Sequence, residues 1–267
     1  MAVIRTATPT RTAIPATAMA EGSFTPAGGP ASSGPAEPPL DPAALQRLLT
    51  WLSPAFPVGG FSYSHGLEWA VEDGTVRDAA TLRAWVEGVL HHGAGRTDAI
   101  FLAEAWRAAE AGDDARLSAV AELAAAFQPT RERMLESTAQ GRAFLAAVAA
   151  AWPSPQLDRI AALFPADRPL AYPVAVGAAA AVENVPLRST LTAFLTAFAA
   201  NLVSAGVRAI PVGQSDGLRA VAALAPLVGE ISGAALASGL ADIGGMAFRA
   251  DIASMKHETQ YTRLFRS

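Results

Sequence analysis

The sequence predicts an all-α protein: a single compact helical bundle-like domain of about ten helices, preceded by a disordered N-terminal tail. Of the 267 residues, 62 are Ala, which has the highest helix propensity of any residue. Apolar residues recur at helical spacing along most of the chain, while residues that favour strands are sparse. Because 51% of the residues are hydrophobic, the chain has enough apolar material for one large core.

The chain divides into three segments. Residues 1–41 are rich in Pro, Ala, Thr, Gly and Ser, which predicts a disordered tail. Residues 42–255 form the predicted helical domain, and residues 256–267 a C-terminal segment that docks a partner. The first twenty residues lack acidic side chains, as organellar transit peptides do, but they show no clean amphipathic helix. We therefore expect the protein in the cytoplasm.

Capping and turn residues predict where the first helices begin. Asp41 and Pro42 provide an N-cap and a first-turn proline, so a helix begins at residue 42. Residues 53–64 contain two prolines and two adjacent glycines and predict a loop, followed by a short helix over residues 65–73. Asp78 caps the next helix, which ends at Gly93.

The remaining helices follow from apolar periodicity between Gly, Pro and Asp breaks. They are predicted over residues 97–111, 114–127, 130–151, 155–164 and 173–184, and then from Pro186 to near Arg208. Residues 211–217 predict a turn, and helices follow over 218–228 and 231–255.

Composition excludes several classes of protein. The absence of cysteine rules out disulfides and thiolate metal sites. The chain has one lysine, Lys256, and no glycines precede it in the pattern of a phosphate-binding loop. A net charge of −4 with scattered arginines does not favour nucleic-acid binding. Residues 189–207 are uncharged, but their hydroxyl side chains and Asn201 favour a core helix over a membrane span.

A serine hydrolase is the alternative function. Residues 213–217 match the G-x-S-x-G nucleophile motif around Ser215, and Asp242 or Asp251 with His257 would complete a triad. That motif works between a strand and a helix, whereas here a helix precedes it. The pattern therefore favours a turn between helices.

The sequence has one local cluster with metal-ligand chemistry, His91 and His92 with Asp98, which raises the possibility of a direct metal carrier that uses His65, His91, His92 or His257. Adjacent helical residues such as His91 and His92 diverge by about 100° around the helix axis, which makes a shared metal ion difficult. The favoured explanation is a solvated helix end for His91 and His92 and a hydrogen bond to the backbone for His65. We predict no metal site and no cofactor.

Two segments contain aromatic residues that could bind another protein. The loop over residues 54–68 combines Phe56, Phe61 and Tyr63 with Gly59 and Gly60, and its rings need burial within the chain or against a partner. The last residues place Tyr261, Leu264 and Phe265 at helical spacing beside two arginines. This tail either orders on a partner or packs on its own domain, and the sequence leaves both possibilities open.

Four stretches together resemble one family. They are PAFPVGGFSYSHGLE over residues 54–68, Gly141-Arg142, NLVSAGVRAIPVGQ over residues 201–214 and HETQYTRLFRS over residues 257–267. In this order they resemble the urease accessory protein UreF. The resemblance implies a non-enzymatic chaperone of nickel insertion that bridges UreD (also called UreH), the GTPase UreG and the urease apoprotein. It further implies a homodimer within that complex, modulation of UreG GTP hydrolysis and a tail that orders on UreD.

The resemblance also implies roles for particular residues. In the tail, the residues implied to contact UreD are Tyr261, Arg263, Leu264, Phe265 and Arg266. In the loop, the residues implied to order at the same interface are Phe61, Tyr63, Ser64, His65 and Glu68. A third group supports the fold or faces UreG, namely Arg208, Pro211, Gly213 and Gln214.

Overall fold

The structure is a computed structural model that describes residues 40–267, and its all-α architecture confirms the predicted fold class. The predicted tail, residues 1–41, lies almost wholly outside the described residues. Within them the chain forms eleven α-helices, two 3₁₀ turns at Gly60–Ser62 and Leu240–Asp242, and no strand. The helices are α1 (Pro42–Trp51), α2 (Leu67–Glu72), α3 (Ala79–His92), α4 (Ala94–Glu110), α5 (Asp114–Ala126), α6 (Arg131–Ala151), α7 (Pro155–Leu163), α8 (Tyr172–Val182), α9 (Leu187–Ala209), α10 (Gln214–Ala237) and α11 (Phe248–His257).

The predicted caps start their helices as expected. The Asp41 carboxylate accepts hydrogen bonds from the backbone of Ala43 and Ala44, and Pro42 occupies the first turn of α1. Asp78 and Thr81 form a reciprocal capping box at the start of α3. Such caps satisfy backbone N–H groups that have no partner inside the helix.

The centre of the molecule is built on α4, α8 and α9. In α8, all residues from Pro173 to Ala181 are buried. A Cβ added at Gly177 would lie 2.3 Å from the carbonyl oxygen of Leu102, so α8 and α4 meet backbone to backbone. Gly141 gives α6 a similar approach, because a Cβ there would lie 2.1 Å from the carbonyl oxygen of Leu170.

The long uncharged stretch forms α9, a core helix as predicted. Leu191, Phe194, Leu195 and Leu202 are buried in the hydrophobic core. By length and composition α9 and α10 are the two described helices apolar enough to cross a membrane. For α9 the same apolar side chains pack against neighbouring helices, which is what a core helix requires.

The last third of the chain corrects the predicted boundaries. The predicted turn over residues 211–217 is shorter, because α10 already begins at Gln214 and then runs unbroken through Pro226 to Ala237. Gly217 lies inside this helix against Val207. Pro226 is exposed, so its ring is accommodated on the solvent side of the helix. The predicted helix over residues 231–255 is not continuous: its first part belongs to α10, which ends at Ala237, and α11 begins only at Phe248 and ends at His257.

Candidate partner-docking site

The glycine-rich loop between α1 and α2 is shaped by left-handed backbone. Gly59, His65 and Gly66 have φ angles of 69°, 58° and 75°, a region that glycine enters without strain. At Gly66 an added Cβ would lie 2.6 Å from the backbone nitrogen of Ser254. The loop therefore ends in direct backbone contact with α11.

The loop residues separate into an exposed and a buried group. The ring of Phe61 is 65% exposed, whereas Tyr63 is 8% exposed and Ser64 is fully buried. Of the aromatic residues predicted for binding, Phe56 is buried in the core. Phe61 is therefore the ring that the loop offers to solvent.

A buried polar cluster lies behind the loop. The Nδ1 atom of His65 is 2.9 Å from the Arg133 guanidinium and 3.0 Å from the Glu136 carboxylate, and Arg133 also pairs with Glu136 directly. Burial by itself would raise the pKa of Glu136, but Arg133, with a smaller contribution from His65, outweighs it and lowers that pKa to about 2. Burial and Arg133 lower the pKa of His65. The fixed charges are thus Arg133 and Glu136.

Asp98 reaches the same cluster from α4. It lines two adjoining cavities of about 120 and 190 Å³, and no described residue donates a hydrogen bond to its carboxylate. Burial raises the pKa of Asp98 to about 7, Arg133 opposes the rise, and Glu136 adds to it. Asp98 is therefore a buried acid whose negative charge Arg133 offsets only in part.

The last residues pack on the loop and are not helical, although Tyr261, Leu264 and Phe265 stand at helical spacing. The backbone N–H of Arg266 donates to the Ser62 carbonyl at 2.8 Å, and that of Ser64 donates to the Ser267 carbonyl at 2.6 Å. The Ser267 hydroxyl donates to Glu136. Phe265 is 4% exposed, because its ring belongs to the hydrophobic core. In this structure the tail therefore packs on its own domain.

Charged side chains tie this tail to the domain. The Glu68 carboxylate accepts hydrogen bonds from the backbone N–H groups of Leu264 and Phe265. The imidazole of His257 lies between Glu68 and Glu132, at 3.1 and 2.7 Å. Glu132 also pairs with Arg263 at 2.7 Å. Arg263 and Glu68 are thus occupied within the chain.

Other tail side chains face solvent. Tyr261 is fully exposed and Leu264 is 65% exposed, and Arg266 is exposed as well. The tail is hydrogen-bonded to the loop. Tyr261, Leu264 and Arg266 of the tail and Phe61 of the loop therefore lie on two joined segments. We call the exposed side chains of these four residues the loop–tail surface.

The third predicted group lies at the junction of α9 and α10. The Arg208 guanidinium donates to the carbonyl of Phe61 at 2.8 Å and stacks 4.6 Å from the ring centre of Phe265. Gly213 is the N-cap of α10, and Pro211 and Gln214 are exposed beside it. Arg208 therefore links this junction to both the loop and the tail.

The serine hydrolase alternative finds no support. Ser215 lies in the first turn of α10, and the chain before it is helix α9 with a short connection, not a strand. Both ring nitrogens of His257 are engaged by Glu68 and Glu132, so this histidine is not available as a base for Ser215.

The candidate metal ligands are dispersed. His91 and His92 stack at the exposed end of α3, where His91 lies 3.6 Å from Glu230. His65 belongs to the buried cluster, and His257 is held by carboxylates. Among the described residues, no three His, Cys, Asp or Glu side chains are placed to hold a metal ion.

Sequence reasoning missed the charged residues that organise the site. Glu132, Arg133 and Glu136 share one face of α6 by their spacing, and Arg133 and Glu136 are buried. Charges at this spacing usually mark a solvated helix face, so the pattern gave no sign of burial. Asp98 was noted only as a neighbour of the two histidines.

Comparison with known proteins identifies the family. A helical scaffold with a loop–tail surface belongs to proteins that act by binding. The family model UreF matches residues 76–225. Three relatives are each called urease accessory protein UreF: one from Rhodopseudomonas palustris strain HaA2 is 59% identical over 84% of this chain and 94% of its own; one from Bradyrhizobium diazoefficiens is 55% identical over 84% and 92%; and one from Bradyrhizobium sp. strain ORS 278 is 56% identical over 84% and 92%.

The chain belongs to the UreF family of urease accessory proteins. It is accordingly a chaperone and not an enzyme, in agreement with the sequence-based expectation.

Proposed function

We propose that this protein is a cytoplasmic scaffold for nickel insertion into urease. It binds UreD (UreH), recruits the GTPase UreG and bridges both to the urease apoprotein. Its membership of the UreF family supports urease maturation as the process. The observation that carries the docking role is the packing of the tail on the loop, which unites two segments 203 residues apart.

The loop–tail surface is the part that contacts UreD. Exposed aromatic and arginine side chains are the residue types that dominate binding energy at protein interfaces. Phe61, Tyr261 and Leu264 provide the apolar anchors, and Arg266 a charged one. Tyr63, Ser64, His65 and Phe265 are buried beneath them and support the surface instead of touching the partner.

UreG binds near the junction of α9 and α10, around Pro211 and Gln214, and its rate of GTP hydrolysis changes on binding. Arg208 connects this junction to the loop and tail, which gives UreD and UreG adjacent sites on one protomer. Two protomers associate within the complex. A measurement of UreG GTP hydrolysis with and without this protein tests the coupling, and an unchanged rate would contradict it.

Deletion of residues 258–267 tests the docking role. The deletion removes the tail but leaves all eleven helices, so we expect loss of co-purification with UreD and an unchanged far-UV circular dichroism spectrum. Point variants sharpen the test: Tyr261→Ala and Leu264→Ala should each weaken UreD binding about 10- to 100-fold, as truncated interface anchors do.

The matched control is Leu218→Ala on α10, a leucine that is 71% exposed and lies outside the loop and tail. We expect it to bind UreD as the parent protein does. Capture of UreD by the chain without residues 258–267 would show that the tail is not the docking element.

A further inference from the structure

Behind the glycine-rich loop lies a cavity that the proposed scaffold function does not use. We propose that this cavity binds an organic cation, namely a primary ammonium or guanidinium group on a short apolar stem, with Asp98 as its counter-ion. The cation can belong to a small free amine or to a lysine or arginine side chain of a bound protein. No residue of the tail lines the cavity, so this site is separate from the docking segment.

The cavity is large enough for such a ligand. Its volume is about 190 Å³, and an engineered apolar cavity of about 150 Å³ in another protein holds benzene. Pro54, Phe61 and Ser204 line the cavity and are exposed. Asp98 and Phe194 line it and are buried. The cavity therefore has a mouth beside the loop and a buried end at Asp98.

Asp98 gives the buried end a negative charge that the protein satisfies only in part. Asp98 is 5% exposed, and no described residue donates a hydrogen bond to its carboxylate. Arg133 offsets the charge incompletely, because it is already engaged by Glu136 and His65. A buried carboxylate without donors is costly. A bound ammonium or guanidinium group would supply both the hydrogen-bond donors and the opposite charge.

The other walls of the cavity suit an organic cation. Val58, Phe194 and Phe198 contribute apolar side chains, which can cover an apolar stem, and aromatic rings also attract cations. A metal ion requires several ligating side chains, and no three His, Cys, Asp or Glu side chains in the described part of the chain are placed to hold one. An anion would be repelled by Asp98 and Glu136. The lining therefore favours a cation on an apolar stem.

The charge of Asp98 makes binding of the cation depend on pH. Burial raises the pKa of Asp98 to about 7, so its carboxylate is ionised at pH 8 and protonated at pH 5. The cation binds the ionised form, and its affinity should therefore fall at least about 10-fold from pH 8 to pH 5. The other titratable or charged residues that line this cavity and the adjoining one are His65, Arg133, Glu136, Tyr172 and Asp251.

Thermal unfolding of the full-length chain with n-butylammonium chloride tests the site. At pH 8 and a concentration ten times its dissociation constant, the amine should raise the unfolding temperature by about 3–5 °C relative to the same concentration of sodium chloride. 1-Butanol carries the same apolar stem without the charge and should give no rise. At pH 5 the same rise should require at least about ten times more amine.

Asp98→Asn removes the charge and keeps the side-chain shape. The variant should lose the response to the amine at pH 8, which separates Asp98 from the other acids of the two cavities. Asp167→Asn is the matched control, because Asp167 is exposed and does not line the cavity, and it should keep the full response. Ala200→Phe adds a ring at a position that lines the cavity and should remove the response while Asp98 stays in place.

Calorimetric titration of the amine into the complex with UreD distinguishes the two sources of the cation. If a side chain of UreD occupies the cavity, the complex should not bind the amine. If a free amine is the ligand, the complex should bind it as the single chain does. Binding of the amine to the single chain is measured without UreD, so it does not depend on the proposed docking role.

Three results would overturn the proposed site. One is the absence of any response of the parent chain at pH 8 to both n-butylammonium and methylguanidinium, which would leave the cavity to water. Another is an equal response of Asp98→Asn and the parent chain, or equal stabilisation by 1-butanol. The third is stabilisation by nickel chloride, lost in Asp98→Asn, at concentrations where the amines have no effect.

Discussion

At the scale of single residues, Asp98 is unusual because its carboxyl group is buried and has a raised pKa. It is 5% exposed and faces two cavities in the same cluster as Arg133 and Glu136. A buried carboxylate that lacks hydrogen bonds is costly in its charged form, and burial accordingly raises its pKa to about 7. The protein thus carries a site whose charge changes near neutral pH.

The pKa of Asp98 predicts a pH dependence of stability. Between about pH 4 and pH 7 the folded protein retains a proton that the unfolded chain has lost, so the contribution of Asp98 becomes more unfavourable as pH rises. Above the folded pKa of about 7 the penalty is complete, and a difference of about three pKa units corresponds to about 4 kcal/mol. Asp98→Asn should therefore stabilise the protein at pH 8 and have little effect near pH 4.

Urea unfolding at the two pH values measures this difference. The control is Asp167→Asn at an exposed position, which should change the free energy of unfolding by less than about 0.5 kcal/mol at either pH. A stabilisation by Asp98→Asn that is equal at pH 4 and pH 8 would mean that ionisation of this side chain is not the cause.

At the scale of elements, the close approach of α4 and α8 fixes the centre of the fold. The sequence gives no sign that Gly177 differs from other glycines, since it lies within a run of small apolar residues. In the structure its missing side chain admits the Leu102 backbone, which a helix pattern alone cannot reveal. The helices themselves were predictable from periodicity and caps because these signals are local.

Gly177→Ala should destabilise the protein although alanine favours helix. Better propensity contributes about 1 kcal/mol, whereas a Cβ 2.3 Å from the Leu102 carbonyl oxygen forces two packed helices apart, at a typical cost of about 1–3 kcal/mol or more. Gly229→Ala on α10 is the matched control, because an added Cβ there meets no atom within 4 Å. It should stabilise by up to about 1 kcal/mol, and both signs can be read from thermal unfolding.

At the scale of the whole molecule, side chains join helices that are distant in sequence. The Arg107 guanidinium on α4 donates to the carbonyls of Leu236 and Ser238 at the end of α10 at 2.7 and 2.8 Å. It also pairs with Glu104, which is 5% exposed and holds Arg116 as well. Arg107 thus caps α10 through a contact with a different helix.

Arg107→Met should lower the free energy of unfolding by about 2–3 kcal/mol, because it leaves the α10 carbonyls without a charged donor and removes one partner of Glu104. Arg219→Met is the control: Arg219 is exposed and pairs with Asp216 on the same helix, and such surface pairs contribute less than about 1 kcal/mol. Equal losses in the two variants in urea unfolding would show that the link between α4 and α10 is unimportant.

The sequence by itself determined the helical class, most helix boundaries and, through four short stretches, the family. These features depend on residues close together in the chain, whose periodicity and caps act before any tertiary contact forms. Only the tertiary structure decided that α10 continues through Pro226, that Arg133 and Glu136 are buried and that the tail is tied to Glu68. Each of these depends on contacts between residues that are far apart in the sequence, and local propensity carries no information about such contacts.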